Sequence, residues 1–418
     1  MTEKIGFGTV FAMREFRAIW AAYALSTAGD QLTRVALAIL VFNRTDSAWL
    51  TALTYALTFI PSIFGGALLS GLADRFPRRT VMVISDLCRA GLVAVMAIPR
   101  MPLALICVLL VFVVLLGAPF RAAQAAALPD ILPGERFEVG LAIRNITQQV
   151  MQLVAFAGGG LLITVITPNG ALALDAVTFL LSAALVKFGM QFRPPPAGAE
   201  AGAPESAAGK AVHMMRGGMR AIWEDPALRS LTALVLLTGL LIAPEGLAAP
   251  YAQAIGHGTV GTGLLMAADP AGSALGAFLF AKLVPAHLRS RLIGPLALLA
   301  AVPLMICVIK PGLVPAMLLW AVTGALGTAY VIQSNASFTR RVPDARRGQA
   351  SGLIATALLA AQGVGVLIAG VIAEFTGVFN AVAIAGVLAV VLGIGPAATW
   401  RRVNPDHAPG TGTKTAEA

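Results

Sequence analysis

Long apolar segments alternate with short polar ones along almost the whole chain. Each apolar segment runs for about 20 residues, which as an α-helix rising about 1.5 Å per residue crosses roughly 30 Å of hydrocarbon. Twelve such segments are predicted, numbered spans 1 to 12 in chain order: 17–42, 47–71, 80–99, 101–123, 139–166, 169–190, 228–253, 258–282, 290–309, 312–335, 348–374 and 377–399. The pattern predicts an all-α membrane protein with twelve transmembrane helices.

Composition and charge agree with this interpretation. Hydrophobic residues make up 58% of the chain and charged residues 12%, which excludes a soluble domain of this length. The net charge of +10 could indicate a nucleic-acid partner, but with both termini in the cytoplasm 25 of the 30 Lys and Arg residues lie on the cytoplasmic side. The exceptions are Arg44, Arg100 and Lys310 outside and Arg34 and Arg89 within spans. This pattern predicts a multi-pass protein of the inner (plasma) membrane, with its basic residues at anionic lipid headgroups and no nucleic-acid partner.

The longest polar interruption divides the chain into two halves. Its first part, PPPAGAEAGAPESAAGK, has too few apolar residues to bury a core and predicts a flexible cytoplasmic linker. Its second part mixes Met, Ile and Trp with Arg, which predicts a short helix on the membrane surface; a solvated loop is the alternative. The predicted units are an N-terminal six-helix half, the linker, a C-terminal six-helix half and a disordered cytoplasmic tail: 1–192, 193–227, 228–400 and 401–418.

An internal repeat supports the division into halves. LPDILPGERFEVGL at 128–141 resembles VPDARRGQASGL at 342–353, and each copy joins the fourth predicted helix of a half to the fifth. Duplicated six-helix halves are a common architecture of secondary transporters.

The loop between spans 2 and 3, GLADRFPRRT, is a short run of charge between two long apolar segments. It resembles the signature loop of the major facilitator superfamily, with Pro77 where the family commonly has glycine. The matching residues are Gly71, Leu72, Ala73, Asp74, Arg75, Arg78 and Arg79. The resemblance implies two six-helix halves that alternate access. It also assigns Gly71, Asp74, Arg75, Arg78 and Arg79 to a cytoplasmic gate that stabilises the outward-facing arrangement.

Three further segments resemble the branch that contains macrolide-efflux proteins and the enterobactin exporter. They are Gly29-Asp30-Gln31 in span 1, LPDILPGERF after Arg121, and RGGMRAIWEDPALRSL before span 7. This resemblance implies an exporter of a small amphipathic molecule, such as a drug, an antibiotic or a siderophore, driven by proton antiport. Uptake of a metabolite and a transporter-like substrate sensor are the alternatives. Arg121 lies near the cytoplasmic end of span 4, and Gly158, Gly159 and Gly160 lack the proline of the antiporter pattern, so that branch's proton pathway does not transfer directly. A monomer is expected, because close packing within the bundle explains the pair Gly272 and Gly276 better than dimerisation does.

Asp30 is the first candidate proton carrier, because an ionisable residue at the membrane centre is costly and needs a reason. It lies 13 residues from Arg17 and 14 from Arg44, which places it near the midplane. Arg34 lies one turn further on the same face, so the two are expected to pair. Such a pair either only helps span 1 to pack against its neighbours, or its carboxylate exchanges a proton as a cavity opens and closes.

Two acids in the C-terminal half are further candidates for proton coupling. Glu245 lies between Pro244 and Pro250, which should disturb span 7 and leave a cavity-lining acid. Asp269 is central in span 8, although a residue before proline, here Pro270, often only marks a kink.

Three other charged residues in spans are expected to be structural. Asp175 is expected to reach water at the outer end of span 6. Asp86 and Arg89 can pair across one turn of span 3 and join the Asp74 loop.

A polar stripe in span 5 predicts one wall of a substrate cavity. Asn145, Gln149 and Gln152 follow at spacings of four and three, and lipid-facing amides would be costly. Hydrogen bonding between packed helices is the alternative. Further cavity candidates on other spans are Gln31, Tyr55, Gln333, Asn335 and Gln362.

Enzyme signatures are missing from the sequence. It contains no GxxxxGK[ST] phosphate loop, and its four histidines and three cysteines have no metal-binding or triad spacing. The sequence therefore predicts no catalytic residue, no metal and no cofactor, and its expected partners are a small-molecule substrate, protons and membrane lipids.

Overall fold

The computed structural model describes residues 6–69, 71–194, 218–220 and 222–404, without the side chains of residues 67, 68, 74 and 344–346. In the N-terminal half, a short helix Phe7–Phe11 precedes span 1, and Leu72–Arg75 forms a single turn between spans 2 and 3. Span 1 is the helix Arg14–Thr45, and span 2 consists of Ala48–Ala56 and Ile60–Leu69. Spans 3 and 4 are Arg78–Met96 and Leu103–Ile131, and the long helix Glu135–Gly189 contains both span 5 and span 6.

The C-terminal half repeats this order with more interruptions. Span 7 consists of four short helices, Pro226–Leu236, Thr238–Leu241, Ala243–Gly246 and Ala248–Ala254. Spans 8 and 9 are Gly258–Leu283 and, after the turn Ala286–Arg289, the segments Ile293–Leu299, Val302–Ile306 and Cys307–Ile309. Spans 10 to 12 are Leu313–Arg341, Asp344–Thr376 and Val378–Val403.

Every predicted span therefore lies on helix, and the all-α membrane fold class is confirmed. Within the described residues, nine helices are long and apolar enough to cross a membrane, and one of them, Glu135–Gly189, covers two predicted spans. Span 3 falls outside this group and carries Asp86 and Arg89, and span 9 is the shorter apolar stretch Ile293–Ile309. The chain is an integral membrane protein.

Prolines set most of the breaks between helical segments. Thr167, at φ 65° and ψ 162°, leaves the helical conformation immediately before Pro168, so Glu135–Gly189 consists of two helices that meet at the predicted boundary of spans 5 and 6. Pro244 and Pro250 lie in two of the short segments of span 7, as the sequence predicts. At the start of span 7, Asp225 caps the helix by accepting from the Ala227 amide at 2.8 Å.

The two halves meet at the predicted outer ends of their spans. Gly160 of span 5 and Gly263 of span 8 bring two backbones together, since a Cβ on either would lie within 2.7 Å of the other's Cα. Glu374, in the last turn of span 11, accepts from the Ser47 hydroxyl at 3.1 Å and from the Trp49 amide at 3.2 Å. These contacts close the bundle at this end.

At the opposite end, Arg220 pairs with Glu224 of its own segment, and three further ion pairs each join neighbouring elements of the same half. They are Arg78 with Asp130, Arg193 with Glu15, and Arg341 with Asp225. The hydrogen bonds that Arg193 donates to Glu15 raise the pKa of the Arg193 guanidinium above its ordinary value. The described contacts between the halves are thus concentrated at one end of the bundle.

Of the predicted linker, residues 218–220 and 222–224 are helical, and Trp223 is exposed. The linker from 195 to 217 and the predicted tail from 405 onward lie outside the described residues.

Candidate functional site

Two aspartates of the N-terminal half share one buried arginine. Arg89 of span 3 donates to Asp30 of span 1 at 2.5 Å and lies 3.7 Å from Asp86. Asp86 is fully buried and accepts from the Ser182 hydroxyl of span 6 at 2.5 Å. The Arg89 guanidinium also lies 4.1 Å from the centre of the Phe179 ring. Because buried charges must be paired and hydrogen-bonded, this network fastens spans 1, 3 and 6 to one another.

Asp175 of span 6 is fully buried against span 1. The Thr33 hydroxyl donates to its Oδ2 at 2.6 Å, and the Thr178 hydroxyl lies 3.0 Å from its Oδ1. A Cβ on Gly29 would clash with this carboxylate, so the glycine makes room for it. The expectation that Asp175 reaches outside water is therefore wrong, because hydroxyl groups of the protein take the place of that water.

The expected pair of Asp30 with Arg34 is also wrong. Asp30 is bound to Arg89, while the Arg34 guanidinium lies 4.9 Å from the Phe59 ring centre and 5.9 Å from that of Tyr55. Spacing along span 1 brings the two residues to one face, but it does not show that Arg89 approaches from span 3.

The pairing of Asp86 with Arg89 across one turn is found. Arg89 also donates to Asp30 and Ser26, and Asp86 accepts from Ser182. The predicted link to Asp74 lies outside the described side chains.

Glu245 of span 7 is hydrogen-bonded across the boundary between the halves. The Tyr55 hydroxyl of span 2 donates to its Oε2, and both side chains are buried. Glu245 belongs to the single turn Ala243–Gly246, where the break in span 7 turns it towards the other half. The Arg34 guanidinium over the Tyr55 ring places a cation of the N-terminal half near the same carboxylate. Three predicted candidates, Arg34, Tyr55 and Glu245, therefore meet at one place.

Asp269 and Gln362 line one cavity of about 200 Å³ inside the C-terminal half, between spans 7, 8, 10 and 11. Its remaining wall mixes hydroxyl groups with aliphatic side chains, among them Thr238, Thr323, Thr328 and Leu358. Gly324 leaves room for the acid, since a Cβ there would lie 2.7 Å from the Asp269 carboxylate. The cavity can hold a small group that combines polar and apolar atoms.

The polar stripe of span 5 lies on the side that faces the C-terminal half. Counting back from Gly160, which contacts Gly263, the same helix face carries Phe156, Gln152, Gln149 and Asn145. Phe156 is fully buried, Gln152 is half-buried, and Gln149 and Asn145 are exposed. None of the three amides forms a hydrogen bond with another described residue. This arrangement favours a cavity wall over the alternative of hydrogen bonding between packed helices.

The remaining cavity candidates are dispersed. Gln31 is buried within the N-terminal half. Gln333 is buried and donates to Ser337 of its own helix at 3.3 Å. Asn335 is exposed. The structure does not bring these three residues together with the Asp269 cavity.

In the signature loop, the basic pair binds within its own half. Arg78 donates to Asp130 and, at 2.7 Å, to the Ala126 carbonyl, both in span 4. Arg79 donates to the Lys187 carbonyl at the end of span 6. Arg75 is exposed beside Gly71. The Asp74 side chain lies outside the described ones, so the gate stays a prediction.

Sequence reasoning missed the hydroxyl donors to the buried carboxylates, Thr33 and Ser182. An aspartate in the middle of a span signals that a donor is needed, but one chain does not show which neighbouring helix supplies it. Arg89 could have been predicted as a partner of these acids, because a cation within a span also requires a partner.

Two relatives of this chain are named as efflux proteins. Macrolide efflux protein A of Streptococcus pyogenes is 25% identical over 177 residues, 41% of this chain and 44% of that protein. Multidrug efflux pump Tap of Mycobacterium tuberculosis is 24% identical over 377 residues, 85% of this chain and 86% of that protein. The chain spans about half the length of several other curated relatives that it matches.

Among solved structures, a bacterial homologue of the human lysosomal transporter Spinster, in an inward-facing and occupied conformation, superposes with a TM-score of 0.71. It is 15% identical, and the match covers 92% of this chain and 95% of that one. At this identity the likeness shows the fold alone.

A helical bundle of two halves, with ionisable groups at the boundary between them, is an architecture of secondary membrane transporters. The model of the Major Facilitator Superfamily matches residues 19–309 and 246–417, and the chain belongs to that family.

Proposed function

We propose that this transporter exports a small amphipathic molecule across the cytoplasmic membrane in exchange for protons, by alternating access. Efflux is supported by the relatives named for macrolide and multidrug efflux, one of which aligns over 85% of this chain. The observation that carries proton coupling is the buried hydrogen bond between Tyr55 and Glu245, because it joins a titratable group to the boundary between the halves.

The state of this hydrogen bond depends on how the halves are arranged. In the observed arrangement Glu245 is enclosed by both halves, and burial penalises the ionised form of a carboxyl group. If the halves separate on the outer side, Tyr55 moves away and water reaches the carboxyl group. Glu245 then takes up a proton from the outside as the substrate leaves, and after closure the next substrate entering from the cytoplasmic side displaces that proton to the cytoplasm.

The observed arrangement suits loading from the cytoplasm. The halves are closed at the predicted outer end by Gly160, Gly263 and Glu374, whereas the exposed amides of Asn145 and Gln149 lie towards the other end. A substrate that enters there meets the span 5 stripe on one side and the Asp269 cavity on the other. Amides, hydroxyl groups and aliphatic side chains together suit a molecule with both polar and apolar parts.

Asp30, first of the sequence candidates, is the less favoured carrier in this proposal. Its ion pair with Arg89 lies inside one half, so movement of the halves does not by itself separate the pair. Its side chain is 38% exposed, however, so it can still exchange protons with a water-filled cavity. The two acids are therefore tested side by side.

The decisive experiment uses the purified full-length protein in vesicles, with erythromycin and ethidium as probes. A proton gradient should drive accumulation by the parental protein in the direction that corresponds to export. Glu245→Gln should lose this accumulation and the proton flux on probe addition while retaining downhill exchange. Glu138→Gln, a change at an exposed acid near the start of span 5, is the matched control and should behave like the parent.

Three results would contradict the proposal in distinct ways. Undiminished proton flux in Glu245→Gln would remove this residue from coupling and return the role to Asp30. Gradient-driven accumulation in the opposite direction would identify an uptake system. Binding of the probes without flux under any gradient would identify a sensor.

A further inference from the structure

Two cavities meet at the ends of spans 3 and 6 and share the side chain of Arg79. The larger one, here called the Lys187 groove, has a volume of about 500 Å³. Its floor is apolar and largely exposed to the outside of the bundle, formed by Val83, Leu87, Leu180, Ala184, Phe188 and Phe192. The smaller one, about 270 Å³, is polar, with Arg78, Arg193 and Asp130 in its wall. An apolar groove thus ends at a polar pocket.

Two cations line the groove, Arg79, which it shares with the smaller cavity, and Lys187. Arg79 is held in place by its hydrogen bond to the Lys187 carbonyl, and the Lys187 ammonium group lies 5.7 Å from the Phe188 ring. Among the side chains that the structure describes, no carboxylate pairs with either of them. The neighbouring arginines differ, since Arg78 is paired with Asp130 and Arg193 with Glu15. Two positive charges are therefore available to an anion at the mouth of the groove.

We propose that the Lys187 groove binds an anionic membrane phospholipid. Its phosphate group would lie between Arg79 and Lys187, and one acyl chain would lie along the apolar floor. Charge complementarity selects this occupant, because a zwitterionic lipid brings a second, positive group to a pocket that already holds uncompensated cations. The position also fits, since this end of the bundle carries the basic residues that the topology assigns to the inner membrane surface.

The C-terminal half provides a matched control. Lys282, in the last turn of span 8, is exposed, and its ammonium group also lies 5.7 Å from a phenylalanine ring, that of Phe278. Lys282 lines neither of the two cavities. A diffuse attraction of anionic lipids to surface cations would act equally on both lysines, whereas a built site depends on Lys187 and not on Lys282.

The test is native mass spectrometry of the full-length protein with equal amounts of phosphatidylglycerol and phosphatidylcholine carrying the same acyl chains. The parent should retain phosphatidylglycerol in preference. Lys187→Gln should weaken that binding by about fivefold, and Lys282→Gln should leave it unchanged. Ala184→Trp, which fills the groove, should reduce the retention of both lipids. Thermal unfolding of each variant checks that the fold is intact.

Several outcomes would overturn the proposal. Equal loss in Lys187→Gln and Lys282→Gln would mean diffuse surface attraction, and no loss in Lys187→Gln would mean that the groove holds no anionic headgroup. Equal retention of the two lipids by the parent would mean that the groove does not select an anionic headgroup over a zwitterionic one. Loss of phosphatidylglycerol from the parent when ethidium is added to the same measurement would assign the groove to the transported molecule. Lys187→Gln changes an exposed side chain, so the test does not depend on the bulkier variant folding.

Discussion

The two halves of this transporter share one architecture, but they neutralise their buried acids in different ways. In the N-terminal half, Asp30 and Asp86 are bound to Arg89, and Asp175 is held by Thr33 and Thr178. In the C-terminal half, the donor to Glu245 among the described residues is Tyr55 of the opposite half, and Asp269 faces a cavity. The first set of contacts lies within one half and survives any rigid movement of the halves, whereas the contact of Glu245 with Tyr55 depends on that movement.

The difference follows from where the cations are. Spans 1 and 3 contain Arg34 and Arg89 in their interiors, whereas spans 7 to 12 have Lys and Arg only near their ends. An acid in the C-terminal half must therefore be neutralised by a proton, by Arg34 from across the boundary, or by a positively charged group on a substrate. We therefore expect the N-terminal half to act as a stable support and the C-terminal half to hold the groups that respond to movement and loading.

The largest expected effect comes from breaking the N-terminal network. Arg89→Leu leaves two acids without their cation inside the bundle and should destabilise the protein by about 3 to 5 kcal/mol. Thermal unfolding in detergent measures this change, with Arg136→Leu, at an exposed arginine, as the control. An unfolding temperature equal to that of the control would mean that the network does not support the fold.

The second prediction compares one acid from each half. Asp30→Asn removes the nearest partner of Arg89 and should cost about 1 to 3 kcal/mol of stability. Asp269→Asn should have little effect on stability, because its carboxylate faces a cavity instead of a cation, but it should weaken probe binding. The same unfolding assay and a binding titration separate the two outcomes. If both changes destabilised the protein equally, the two halves would not differ in how they neutralise their buried acids.

The third prediction concerns the signature loop, which is complete only in the N-terminal half. The corresponding loop between spans 8 and 9 has no aspartate, and its Arg289 instead binds the carbonyls of Val284 and Ala281 at 2.9 and 2.8 Å. Asp74→Asn should slow transport while leaving probe binding largely intact, because the family resemblance places Asp74 in the gate. Transport in vesicles tests this, with Glu135→Gln as control. A parental rate in well-expressed Asp74→Asn would refute the gate.

A smaller effect is expected from Tyr55→Phe, which keeps the ring beside Arg34 and removes only the hydroxyl group that binds Glu245. Loss of this hydrogen bond should cost about 1 to 3 kcal/mol. It should reduce proton-coupled transport less than Glu245→Gln does, since the titratable group remains. The comparison needs both variants in the same vesicle assay. If Tyr55→Phe transports normally, the contact between the halves is not part of coupling.

The smallest perturbation is a test of accessibility. Cysteine at Gln149 or Gln152, in a background without Cys88, Cys107 and Cys307, should react with a small water-soluble thiol reagent, and probe should slow the reaction. Cysteine at Val154, which is 58% exposed on the opposite face of span 5, serves as the lipid-facing control. Labelling at Gln149 and Gln152 that is no faster than at Val154 would assign the stripe to helix packing.

The sequence by itself determined the membrane class, the positions of the spans and the family. Apolar runs of membrane length leave few structural alternatives, because every backbone polar group in lipid must be bonded internally. Pro168 and the broken span 7 were also readable, since proline removes a backbone donor wherever it occurs. Asp30, Glu245 and Asp269 could be singled out from their cost in a membrane alone.

Only the tertiary structure decided which partner each of these residues has. Asp30 binds Arg89 instead of Arg34, Asp175 binds Thr33 instead of water, and Glu245 binds Tyr55 across the boundary between the halves. Spacing along one helix shows which residues share a face, but contacts between helices depend on how side chains from several spans pack together. For this reason the sequence could single out the ionisable residues within the spans, whereas the division between a network inside the N-terminal half and a contact between the halves at Glu245 could not be predicted.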